Sequence, residues 1–193
     1  MSGHVSSISF ESTRRRLTQK QADTVDRLCD AAVQVLREED FTGLTVRAVA
    51  SRAGVGPATA YTYFSSKEHL VAEVFWRRLS QSPRPAANGL DRTGRVVAVL
   101  RGIALLLADE PGLSGAVTNA LLGSDPDVEH LRLRIGIEIR GRLQEALGEP
   151  GDPEILETLD ILYAGALLRA GIGYGTYEDL AGSLERSATM ILE

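Results

Sequence analysis

With one cysteine and three histidines in 193 residues, the chain excludes several classes of protein at once. A lone Cys29 cannot close a disulfide within the chain, so no disulfide framework is expected, and a reducing cytoplasm suits it. It falls in an apolar helical stripe, which reads as a buried structural thiol rather than a reactive one. His4, His69 and His130 are scattered, with no second ligand at i, i+4 spacing, so no metal site is expected. No Ser-His-Asp set can be assembled, and there is no Walker loop. One glycine-rich stretch, AGIGYGT at 170–176, follows a long helical pattern rather than a strand and lacks G-x-G-x-x-G spacing. It reads as a helix end. The expectation is a chain with no catalytic residues, no cofactor and no enzymatic activity.

Long uncharged apolar runs are also missing. The first residues, MSGHVSSISFESTRRRL, are rich in serine and hold no continuous apolar stretch, so no signal peptide is expected. The best candidate for a membrane span, ILETLDILYAGALLRAGIGY at 155–174, carries Glu157, Asp160 and Arg169. Each is costly at membrane depth, and the segment reads as a buried helix of a cytoplasmic protein with no membrane partner. What is present is ordinary for a globular chain, 44% hydrophobic and 24% charged, without the bias of a disordered or fibrous one. Net charge is −5, but it is unevenly spread. Residues 1–82 carry 11 Lys and Arg against 9 Asp and Glu, while 83–193 carry 10 against 17. A basic-leaning small half on an acidic larger half hints that one part meets a polyanion.

Apolar residues recur at helical spacing nearly everywhere, and no stretch alternates like a strand. Thr18 and Gln21 form a capping-box pattern that opens a helix to about Glu39. Thr45 caps a short helix, VRAVASRA, which Gly54 stops. Pro57 suits a first helical turn, so the next helix spans about 57–63. Ser65 and Glu68 read as a second capping box ahead of SKEHLVAEVFWRRLSQ. The stretch SPRPAANGLD, 82–91, has no apolar periodicity and divides the chain. Beyond it five helices are expected, at about 92–109, 111–122, 126–147, 153–174 and 177–192, with Asp125, Asp152 and Thr176 as N-caps. The fold class is all-α.

Two short helices joined at Gly54 and Val55, behind a longer one, form a helix-turn-helix arrangement. Ala50 and Ala53 permit close approach, Gly54 supplies the turn, and Val55 and Phe64 plug the small core. The outward face of the third helix is left free to enter a major groove. The segment LTVRAVASRAGVGPATAYTYFSSKEHL closely resembles the DNA-binding segment of the TetR family of bacterial regulators. Thr45, Ala50, Ala53, Gly54, Val55, Thr59, Tyr61, Tyr63, Phe64, Ser66, Lys67, Glu68 and Leu70 fall in register with its pattern. Gly56 stands where serine is usual, Ala58 where glycine is common, and Ala60 where a larger aliphatic is common, so the DNA sequence preference stays open. The resemblance implies phosphate contacts from Thr45, Arg47, Tyr61, Thr62, Tyr63 and Lys67 and a groove-facing edge of Gly56, Pro57, Ala58 and Thr59. Packing between helices is the other reading of Tyr61. Arg14, Arg15 and Arg16 read either as a solvated tail or as an arm touching DNA.

What the resemblance implies for the rest is a three-part organisation. Residues 1–17 would be a flexible arm, 18–81 a three-helix DNA-binding domain with its motif at 46–65, and 92–193 a larger helical domain for effector binding and dimerisation. The expected function is a homodimeric repressor that binds a pseudo-palindromic double-stranded operator and is released by a small, mostly apolar effector. The alternative is a helical interaction module that keeps the scaffold without a DNA role. Effector contacts are expected from Trp76, Leu106, Val117, Asn119, Leu121, Ile135, Ile139, Tyr163 and Leu167. Homodimer contacts are expected from the apolar stripe Tyr177, Leu180, Leu184, Ala188 and Ile191, with small residues at 164–166 and 170–171. An intramolecular core built from the same stripe is the competing reading.

Overall fold

The computed structural model describes residues 18–85 and 89–193, so the arginine run at 14–16 and His4 lie outside the described residues. Among them every regular element is helical. α1 spans Gln19–Glu38, α2 Val46–Arg52, α3 Pro57–Tyr63 and α4 Lys67–Gln81; α5 spans Arg92–Ala104, α6 Pro111–Leu122, α7 Pro126–Leu147, α8 Pro153–Gly171 and α9 Tyr177–Leu192. Among the described residues no helix is long and apolar enough to cross a membrane, and no group of three His, Cys, Asp or Glu could hold a metal ion.

The helix starts follow the capping chemistry of the sequence. Thr18 and Gln21 exchange side-chain and backbone bonds as a capping box, and Thr45 accepts from the Ala48 amide at 3.0 Å. Asp125, Asp152 and Thr176 cap α7, α8 and α9. One cap differs. Ser66, not Ser65, starts α4, its hydroxyl accepting from the His69 amide at 2.9 Å, while Ser65 lies one residue outside and reaches only the His69 ring. Two ends also differ. α5 stops at Ala104 and tightens into a 3₁₀ turn at Leu105–Leu107, and Glu110, which precedes Pro111, is held out of the α region, so the helical run does not continue into α6. α8 stops at Gly171, since the amides of Ile172, Gly173 and Tyr174 fold back onto Leu168, Ala170 and Arg169.

One buried cluster runs through the molecule from Val25 in α1 to Ala188 in α9, with Phe64, Phe75, Leu100, Leu143 and Leu159 fully enclosed. Each such side chain is worth roughly 1.5–3 kcal/mol. α1 packs on α2, α4 and α6; α4 packs on α6 and α7; α5 lies between α7 and α9; α8 touches α6, α7 and α9. Where α6 meets α1, a Cβ on Gly112 would stand 2.5 Å from the Leu36 carbonyl oxygen, so no larger residue allows this approach.

The α9 stripe closes onto the chain itself. Leu184 is 1% exposed, Ala188 and Ala181 are buried, and the face packs chiefly on α5. The expectation that Tyr177, Leu180, Leu184 and Ala188 form a surface for a second copy is therefore corrected. α9 lays its buried stripe, Leu180, Ala181, Leu184 and Ala188, inward, and α5 is its main neighbour. Among the large apolar side chains left exposed are Ile161 and Leu168 on α8, Ile172 and Tyr174 just after it, and Met190 on α9.

α4 is tied to α7 at both ends. At the start, the Ser66 hydroxyl donates to Asp125, the cap of α7, at 2.5 Å. At the finish, Arg142 of α7 donates to the Leu79 carbonyl at 2.5 Å and to the Ser82 hydroxyl at 2.8 Å, while its Nε holds Glu138 at 2.8 Å. The two helices thus run parallel, joined start to start and end to end.

Candidate nucleic-acid interface and effector groove

The turn between α2 and α3 is built for its small residues. Gly54 takes φ +62°, a left-handed conformation that favours glycine, and the Val55 amide returns to the Ala50 carbonyl at 2.9 Å. Arg27 of α1 donates to the Ala53 and Gly54 carbonyls at 2.5 and 3.1 Å. This clamp on the end of α2 was not legible from the sequence, where Arg27 is one more charge on a solvated helix face.

α3 turns Ala60 inward at 0% exposure, with Phe64 sealing its end. The opposite face is open. Gly56, Pro57, Ala58, Thr59, Tyr61 and Thr62 are all exposed, Tyr61 at 53%, and Tyr63 is half-buried against the core. Thr62 spends its hydroxyl proton on the Ala58 carbonyl. Beside this face stand exposed Thr45 and Arg47, the latter without an ion pair among the described residues. Lys67 is half-buried. Its ammonium donates to the Phe41 carbonyl at 2.7 Å and lies 4.3 Å above that ring. One of its three N–H groups is thereby used, which leaves two for an outside acceptor. The sequence-predicted set is brought together on one side of the molecule, hydroxyls and cations around a helix edge of small residues.

In the larger half, a groove of about 910 Å³ runs between α7 and α8. Ile135, Ile139, Tyr163 and Leu167 line it, joined by exposed Leu133 and Ile137, and the Arg140–Asp160 ion pair crosses it. The other five expected contacts lie elsewhere. Val117 is fully buried in the core, and two residues on, Asn119 has swung out to solvent, where its amide donates to the Gly115 carbonyl. Leu106 lines a separate hollow of about 260 Å³ with Pro83, Pro85 and Ile103. Trp76 and Leu121 pack on Val128 and Leu131, with the Arg134 guanidinium 4.2 Å above the indole. Helical periodicity gives each face of α6 and α4 but not which neighbour it meets.

Charge is concentrated where α1, α4 and α7 join. Glu73, 2% exposed, accepts from Arg77 Nε at 2.9 Å, and Arg77 also pairs with Asp26. Burial raises the Glu73 pKa, against the pull of Arg77 and Arg134. Burial likewise pushes the Cys29 thiol far up, so it stays an inert S–H.

Comparison with known proteins adds a lineage to this geometry. The family model described as bacterial regulatory proteins, tetR family, matches residues 28–74. An uncharacterised HTH-type transcriptional regulator of Mycobacterium tuberculosis is 44% identical over 175 residues, covering 90% of this chain and 82% of that protein. The HTH-type transcriptional repressor KstR of Rhodococcus jostii is 29% identical over 107 residues, covering 54% of this chain and 50% of that protein. Among solved structures, a TetR transcriptional regulator from a Rhodococcus species superposes with TM-score 0.74 at 24% identity, covering 91% of this chain and 98% of that one. FadR of Thermus thermophilus, a TetR-family repressor in complex with lauroyl-CoA, gives 0.67 at 23%, covering 88% and 93%.

Proposed function

Since this chain belongs to the tetR family of bacterial regulatory proteins and is a transcriptional regulator with a helix-turn-helix head, we propose that it is a homodimeric repressor released by a small, mostly apolar effector. The observation that carries the DNA reading is the open face of α3. Gly56, Pro57, Ala58 and Thr59 offer a slender edge to a major groove, and Thr45, Arg47, Tyr61, Tyr63 and Lys67 ring it with donors for phosphate oxygens; the expected contact from Thr62 is not among them, since its hydroxyl proton is given to the Ala58 carbonyl. No Arg, Lys, Asn or Gln stands on that edge, so bidentate base reading does not come from it; apolar contact with thymine methyls, the Thr59 hydroxyl and DNA shape remain.

Two copies would place their α3 helices about 34–36 Å apart, in successive major grooves of a pseudo-palindrome. The exposed apolar residues of α8 and α9, Ile161, Leu168, Ile172 and Met190, support a second copy there. The α7–α8 groove supports an effector whose bulk is aliphatic, in keeping with the acyl-CoA found in the Thermus FadR complex. Such an effector acts only by favouring one spacing of the two heads over another. α4, which reaches from the head into the body, is the element that would carry the change.

The test is a salt titration of binding to DNA from upstream of the gene, with Arg47→Ala beside the wild type. Log affinity should fall linearly with log salt, and the variant should lose about 0.9 of that slope, one phosphate contact. A wild-type chain that binds no such fragment above its affinity for random DNA overturns the reading.

A further inference from the structure

α3 has little of its own to hold it in place. It is seven residues long, its N-cap Gly56 offers no side chain to the first-turn amides, and Ala60 is its one buried residue. Its main neighbour is α2, so its orientation is set through the turn at 53–56. That turn ends in acceptors that the backbone does not serve. In a continuing helix the Ala53 carbonyl would receive the N–H of residue 57, and Pro57 has none. Neither the Ala53 nor the Gly54 carbonyl accepts a backbone amide among the described residues. Both are filled from α1. A single nitrogen of Arg27, Nη2, donates to Ala53 at 2.5 Å and to Gly54 at 3.1 Å. The guanidinium also brings positive charge to the carbonyl end of α2, where the helix dipole favours it.

The edge that α3 presents makes this clamp matter. Pro57, Ala58 and Thr59 are short and exposed, and only Thr59 carries a polar group. A long arginine or glutamine can swing to follow a base when its helix shifts, whereas a proline ring or a methyl group cannot. Van der Waals contact forfeits a quarter to a half of its attraction when the gap opens by about 0.5–1 Å. An edge that reads by contact therefore needs a helix that stays where it is. We propose that Arg27 is a positioning residue for sequence recognition. By holding the turn before α3 it fixes the edge of Pro57, Ala58 and Thr59, and so sets how well the operator is told from other DNA, while touching no DNA itself. This rests on α3 being the element that enters the groove.

The test uses the full chain, random DNA and the upstream fragment that the wild type prefers, with both affinities measured over a range of salt. Arg27→Gln should weaken binding to the fragment about tenfold, on the order of one base contact. Binding to random DNA and both salt slopes should stay as they are. The ratio of the two affinities separates positioning from folding, because a destabilised head lowers the folded fraction and both affinities by the same factor. Arg27→Lys, which keeps the charge and a donor, should recover part of the ratio. Arg52→Gln, which removes the surface pair between α2 and Glu38 of α1 but leaves both carbonyls filled, should keep the ratio whole. An unchanged ratio in Arg27→Gln overturns the proposal. So does a loss shared by random DNA with a slope shallower by about 0.9, which would make Arg27 a phosphate contact. An equal loss in Arg52→Gln overturns it too, since any loosening of α1 from α2 would then suffice. A wild type that prefers no fragment overturns the DNA reading and this proposal together, before any Arg27 variant is compared.

Discussion

His69 sits on the first turn of α4 with its ring 5.4 Å from Phe64, edge to face, and its Nδ1 3.3 Å from the Ser65 hydroxyl. Burial holds its pKa below 6.5, while the charges of Asp127 and Asp125 pull it partly back up. A base whose folded pKa is lowered takes up its proton first in the unfolded chain. Stability is therefore lost as pH falls below about 6.5, until the folded ring is protonated too. Glu73, with its raised pKa, acts in the opposite sense on acidification. The His69 contribution is isolated by comparison with His69→Gln. Between pH 7.5 and 5.5 the wild type should lose more stability than the variant, by at most about 1.4 kcal/mol per pH unit; parallel urea-melt profiles would remove His69 as the cause. Residue types told much at this scale. The exposure of Pro57, Ala58 and Thr59 followed from their place on α3, whereas the engagement of Lys67 with Phe41 crosses 26 residues of chain that no local pattern links.

At the scale of the element, caps were the most legible feature, because they are local: Thr18, Thr45, Asp125, Asp152 and Thr176 all act within three residues of themselves. What lies against a helix is not local, and there the reading failed. The α9 stripe was visible as apolar, but whether α5 or a second copy covers it depends on the path of the whole chain. The same holds for Arg142 of α7, which no local pattern in the sequence singles out and which is 4% exposed. It fills the open carbonyls at the end of α4 and holds Glu138. Arg142→Leu should cost about 3 kcal/mol, because it removes the buried donor from the end of α4 and leaves Glu138 with only its surface partner Arg84. Arg84, half-exposed and paired with Glu138 and Glu145 at the surface, should cost under about 1 kcal/mol when changed to Leu. Chemical denaturation of both variants decides; equal losses would mean that burial of the Arg142 guanidinium contributes nothing.

For the whole molecule, the interruption of the helical series between Gln81 and Arg92 was readable from the proline-rich break. The identity of the pocket was not. Four of nine expected contacts line one groove, since the helical period places a residue on a face without saying how far apart two faces will settle. Assembly gives the sharpest contrast. Leu168 is 40% exposed and Leu184 1% exposed, though both belong to apolar stripes on the last two helices. Leu168→Glu should turn a dimer into a folded monomer in sedimentation, with its helical signal intact. Leu184→Arg should instead unfold the chain, because the charge is forced into the core between α5 and α9. A dimer that survives Leu168→Glu unweakened would move the contact surface away from α8.

The pairing of α4 with α7 at both ends has a consequence for how the protein comes apart. The last turn of a helix ordinarily frays, opening and closing many times before the rest gives way. Here the carbonyls that would fray first are held by a buried guanidinium from the other half, and the first turn is pinned through Ser66 and Asp125. Neither half can melt while leaving the other's core dry, for α4 contributes Leu70, Val74, Phe75 and Leu79 to the common interior. Heating should accordingly show one heat-absorption peak rather than two, and amides near Leu79 and Ser82 should exchange with deuterium as slowly as those at the centre of α7.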